Sequence, residues 1–166
     1  MSRLIDAIEQ IVFARRYTVS ILETIPTAEW FRMPVEGVSH VAWQVGHLAM
    51  AHYRLGMERV RGALPTDESL ISQEFLKTFG RDSVVDPDPA NYPTPESIRH
   101  TFDSVHQRLL EELATQAETE LDLPPRVSHR LCTTRIACLR WCAAHEMLHA
   151  GQVGVLRRLF GQRPIW

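Results

Sequence analysis

Two histidines, His145 and His149, stand four residues apart in the stretch Trp141-Cys142-Ala143-Ala144-His145-Glu146-Met147-Leu148-His149-Ala150-Gly151-Gln152. On a helix this spacing places both side chains on one face, one turn apart. Two imidazoles so placed can grip a single metal ion. The stripe they share also carries Thr134, Cys138, Trp141, Cys142, Gln152, Leu156 and Leu159, apolar at both ends and polar in the middle. A face turned into a core should not carry two unpartnered imidazoles, because burying them costs roughly a few kcal/mol. A metal ion or a hydrogen-bond network has to compensate. A third ligand must come from elsewhere in the chain, and His47, on another helix, is the candidate.

The same residues match the metalloprotease pattern H-E-x-x-H, in which the glutamate is a general base. Enzymes of that kind need a further ligand, usually downstream, and no Asp, Glu or His follows His149. Glu146 is therefore expected to flank the pair, as a hydrogen-bonding neighbour or an exposed charge. Cys142 lies three residues before His145 on the same side, where a thiolate would favour zinc. The plainer reading is that Cys138 and Cys142 pack the stripe as small hydrophobes. His47 and His52 are five residues apart and point away from each other, so they cannot serve one ion directly. Trp43, His47 and Arg54 share one line of their helix, which Glu58 continues, and Gly46 permits a neighbouring helix to approach. His52 is expected to be packed or at a rim. His40 stands at a helix start, His100 on an outer face and His129 in a Pro-rich connection. His106 flanks an apolar stripe and is kept as a fourth candidate ligand.

Four long helices are expected to position these residues. Residues 3–25 repeat apolar side chains at helical spacing and end before Pro26. A loop follows over residues 26–38, from which Trp30 and Phe31 fold back onto the core. Ser39 is the expected N-cap of a largely buried helix over residues 40–60. Residues 61–94 are irregular, with a short helix opening at Thr66-Asp67-Glu68 and stopping near Gly80, then a cluster of prolines. Thr94-Pro95-Glu96 starts a third long helix running to about 118. Thr133 or Thr134 caps the fourth, which runs to Phe160 with Gly161 as its stop. The pattern is all-α: a four-helix bundle with a long crossover between the second and third helices, a single domain over residues 1–166.

The 166 residues carry 45% hydrophobic and 23% charged side chains and a net charge of -2, ordinary for a soluble globular chain and long enough to bury a core. No basic block points to nucleic acid or an anionic membrane, and no apolar run reaches the ~20 residues a span requires. The first residues lack the apolar core of a signal peptide. Three cysteines within eleven positions do not form a disulfide framework, so reduced thiols in a cytoplasmic protein are expected.

Three segments resemble the DinB-like (YfiT-related) metal-binding four-helix bundle superfamily: Val41-Ala42-Trp43-Gln44-Val45-Gly46-His47-Leu48, then His145-Glu146-Met147-Leu148-His149-Ala150-Gly151-Gln152, then Val155-Leu156-Arg157-Arg158-Leu159-Phe160-Gly161. The resemblance implies one divalent ion, zinc or nickel, held by His47, His145 and His149. Gln152 would orient a histidine or bond a ligand, with Arg54, Trp43 and Glu146 as further neighbours of the site. Some members are thiol S-transferases or isomerases using a low-molecular-weight thiol such as mycothiol or bacillithiol. That activity is therefore the first expectation for this chain, with Arg54 as an anion clamp for a small-molecule ligand. A metal-dependent hydrolase and a non-enzymatic, metal-stabilised bundle that binds or senses are the alternatives. Analogy with bundles of this class implies a homodimer.

Overall fold

In the computed structural model, which describes residues 2–165, the chain is a helical bundle with no strand among the described residues. Its first long helix, α1 (Arg3–Leu22), starts at Ser2, whose hydroxyl accepts from the Ile5 amide, and it buries Leu4, Ala7, Ile11, Ala14 and Thr18. It stops short of the expected residue 25: Thr24 and Ile25 turn back in i→i+3 bonds ahead of Pro26. Trp30 is buried and its carbonyl accepts from the Ala42 amide, so the loop does fold back onto the core.

The second helix, α2 (Val41–His52), is capped by His40 and not by Ser39. Nδ1 of His40 accepts from the Trp43 amide at 3.0 Å, and its ring packs edge-on against Phe31 and Tyr92, 5.1 and 4.9 Å away. Ser39 is drawn aside to accept a hydrogen bond from Gln44. Serine is the better intrinsic cap, but the aromatic contacts hold the histidine in the capping position. Nor does the helix run to residue 60 as one α-helix. It widens into a π-helical stretch, Tyr53–Glu58, before a last turn, Arg59–Arg61. The widening shifts the register after His52, so the line from His47 towards Glu58 does not continue in α-helical spacing.

The crossover holds a 3-10 turn (Pro65–Ser69) and a short helix, α3 (Gln73–Thr78), capped by Ser72. It is pinned at its start by Asp67, which accepts from Tyr53 at 3.0 Å, from Arg61 at 2.8 Å and from the Leu64 amide at 2.8 Å. Its middle presses on α2, where the Phe79 ring occupies the space a side chain at Gly46 would need. Then comes α4 (Pro95–Leu113), with Thr94 as cap, Pro95 in the first turn and Ile98, Phe102, Val105, Leu109 and Leu113 buried. It ends at Leu113 and not near 118, turning through Ala114 and Thr115. The last helix, α5 (Arg135–Leu159), is capped by Thr134. α5 packs chiefly on α1, and α2 on α4, with α2 against α5 across the bundle. None of the described helices is long and apolar enough to cross a membrane.

Candidate metal centre

Three histidines from two helices converge at the α2–α5 contact. His47 leaves α2 two turns after the cap; His145 and His149 leave α5 one turn apart. Their ring centroids are 5.3 Å (His47 to His145), 4.7 Å (His47 to His149) and 4.5 Å (His145 to His149) from one another. One nitrogen from each lies within 4.8 Å of the others. Among the described residues this is the only group of three or more His, Cys, Asp or Glu side chains whose donor atoms gather so closely.

Two of the rings are held by their outer nitrogens. Nδ1 of His47 lies 2.8 Å from the Phe79 carbonyl. A carbonyl only accepts, so Nδ1 carries the proton and Nε2 keeps its lone pair. Nδ1 of His149 pairs in the same way with Oε1 of Gln44, whose amide nitrogen donates to Ser39. Such partners fix tautomer and ring orientation and raise the basicity of the other nitrogen. His145 differs: its Nδ1 is buried with no hydrogen-bond partner among the described residues. Trp43 stacks on His47 at 4.7 Å with the planes 16° apart, and donates its indole N–H to Ser83 at 2.9 Å. Trp141 meets His145 edge-on at 6.1 Å.

The electrostatics keep the triad neutral. Burial, then the neighbouring His47 and His52, push His145 down to about 4. Burial, then His145 and His47, push His149 down to about 3. His47 is lowered mainly by burial, with Arg54 adding in the same direction. Three neutral imidazoles, two with a lone pair already aimed by a backbone or amide oxygen, are a donor set that fits a divalent transition ion.

Other candidates lie elsewhere. Cys142 is fully buried beside Glu146 and Arg15, its thiol pushed far up by burial, and it stands outside the triad as a core hydrophobe. His106 also stands apart, its ring 5.6 Å from that of His52. Glu146 is neither exposed nor turned to the triad: it is fully buried and paired with Arg15 at 2.9 Å and with His52. Gln152 is exposed and lies near enough to His149 to act on its ring. Arg54 borders a cavity of about 710 Å³ formed with Lys77, Arg81 and Tyr92 of the crossover. Sequence reasoning missed Gln44 and the Phe79 carbonyl. Gln44 had a readable signal, being a polar residue three before His47 in an otherwise apolar segment; a backbone carbonyl leaves none.

A family model, the DinB superfamily, matches residues 10–153. The chain belongs to the DinB superfamily. The matched span includes His47, His145, His149 and all but the ends of the bundle. Among curated proteins no match is found.

Proposed function

We propose that His47, His145 and His149 hold one divalent metal ion, zinc or nickel, and that the site transfers a low-molecular-weight thiol to an electrophile. The observation carrying this reading is the convergence of three neutral imidazoles within 4.8 Å, with no fourth protein ligand beside them among the described residues. Three protein ligands leave positions open, which is the arrangement of a catalytic and not a closed structural site. A divalent ion there supplies a positive charge that lowers the pKa of a thiol or a water brought to its open face. The chain's own residues do the rest. Phe79 and Gln44 aim two imidazoles, and Trp43 covers one face of His47. Gln152, beside His149, is exposed enough to meet a ligand. Arg54 acts electrostatically on His47 and forms no ion pair among the described residues. It is suited to an anionic group of the thiol or of the acceptor.

Purified protein assayed with several small thiols and a chlorinated aromatic acceptor should show metal-dependent transfer that His145→Ala abolishes. Activity unchanged in that variant contradicts the reading. Hydrolysis is less well supported, because Glu146, its candidate base, is committed to Arg15 and His52 in the core. One observation does favour a stabilising role for the ion: the ligands come from two helices, so the ion would cross-link α2 to α5. Pairing of two copies is part of the same proposal and is supported by the exposed Phe13 and Met147, which border a groove between α1 and α5. Three free, buried cysteines suit a reducing, cytoplasmic setting.

A further inference from the structure

Behind the triad lies a second polar assembly that joins all four long helices. Arg15 of α1 donates through Nε to Oε1 of Glu146 at 2.9 Å and through Nη1 to the Phe102 carbonyl of α4 at 2.7 Å. Its Nη2 lies 3.4 Å from Nδ1 of His52 on α2, and its guanidinium lies over the Phe102 ring, 3.3 Å from the centroid. His52 meets the second oxygen of Glu146 through Nε2. The contacts assign the protonation states: Arg15 is cationic, Glu146 anionic, and His52 accepts from Arg15 at Nδ1 with its Nε2 turned to the carboxylate. Glu146, His52 and Arg15 are 0, 0 and 5% exposed.

Glu146 sits between His145 and His149 in sequence, and His52 is five residues after His47. The α2–α5 contact is therefore joined on two sides: His47 meets His145 and His149 on one, and His52 meets Glu146 on the other. Towards α1, the helix it packs on most, α5 offers small residues, Ala143, Ala150 and Gly154. Small side chains present few knobs, so apolar packing indexes the rotation of this part of the helix poorly. A buried, directional ion pair does index it, and fixing register is the best-attested use of such a pair.

We infer that the buried Arg15–Glu146–His52 assembly is the positioning element of the metal centre: it sets the rotation of α5 about its axis and thereby aims His145 and His149 at His47. The inference rests on the three-histidine reading. It gives the glutamate of the H-E-x-x-H stretch a task behind the ligands instead of among them.

Cobalt(II) is the probe, titrated into metal-free protein and followed by visible absorption. Glu146→Gln keeps the volume of the side chain and removes its charge. Arg15→Lys keeps the charge and loses the fork that reaches Phe102 and His52. Leu109→Ala, in the α4 core against Gly56, is a destabilised control at a residue that belongs to neither assembly. Glu146→Gln is expected to remain helical, to bind cobalt at least about ten-fold more weakly and to alter the ligand-field bands. Arg15→Lys should change both in the same direction by less, and Leu109→Ala should leave the bands unchanged. Wild-type affinity and bands in both Glu146→Gln and Arg15→Lys overturn the positioning role while leaving the three-histidine reading intact. Equal spectral change in Leu109→Ala also overturns it. If Glu146→Gln does not fold, Arg15→Lys against Leu109→Ala decides on the same criteria. Wild-type protein that takes up no cobalt overturns both readings.

Discussion

At the scale of single residues, the centre depends on groups that never touch an ion. Gln44 is the clearest case: its Oε1 holds Nδ1 of His149, and its loss would free the ring to turn. Gln44→Leu should weaken zinc affinity by about ten-fold, measured by competition with a chromophoric chelator, without changing the stoichiometry. The histidines also set a pH dependence. A free imidazole near its ordinary value of 6.5 competes with metal as soon as pH drops below neutrality. Here burial holds His145 at about 4 and His149 at about 3. Proton competition is accordingly expected to begin well below pH 6. Zinc affinity should stay nearly level between pH 7.5 and 6, and a steep fall across that interval would contradict the burial argument.

At the scale of elements, the close approach of the crossover to α2 is what supplies His47 with its acceptor. Gly46 lies against the Phe79 ring, and the Phe79 carbonyl is the group that orients His47. Gly46→Ala would force that ring aside. It should cost about 1–3 kcal/mol in chemical denaturation, in the range of an overpacked core, and should weaken metal uptake as well. A variant of normal stability and affinity would mean that the crossover shifts without disturbing His47. The elements themselves were largely legible, and the reasons are local. Thr94-Pro95-Glu96 and Thr134 carry capping chemistry in their own side chains, and the helices start there. The pair His145/His149 was legible because i, i+4 spacing maps directly onto one helix face. The helix ends were less so: the α1 and α4 patterns continue for a few residues after the backbone has turned. The exchange of Ser39 for His40 as cap, the π-helical widening at Tyr53–Glu58 and the acceptor at Phe79 all arise from contacts between segments far apart in the chain. So does the burial of Glu146, whose partners Arg15 and His52 lie on α1 and α2. No spacing rule within one helix encodes such a contact.

At the scale of the whole molecule, the bundle keeps imidazoles neutral in its interior, and its stability should vary with pH accordingly. The sign follows from where protons bind. His106, His145 and His149 are held well below 6.5, by burial first. The unfolded chain takes up protons at these sites as pH falls through 6.5, and the folded chain does not. Their contribution is thus fully present above 6.5 and is lost progressively as pH falls towards 4. Metal-free protein should show its denaturation midpoint falling over that interval, whereas a midpoint rising on acidification would reverse the assignment. Metal should act in the other direction, adding about 2.7 kcal/mol when free ion is at 100 times its Kd. A melting temperature unchanged by chelation would remove the cross-link between α2 and α5 from the account. The most direct test is X-ray absorption on the zinc-loaded protein, with His47→Ala alongside. One zinc per chain with three imidazole nitrogens at about 2.0–2.1 Å is expected, and one imidazole fewer, or no bound zinc, in His47→Ala. A sulfur scatterer at about 2.3 Å, or an unaltered zinc environment in His47→Ala, would contradict it.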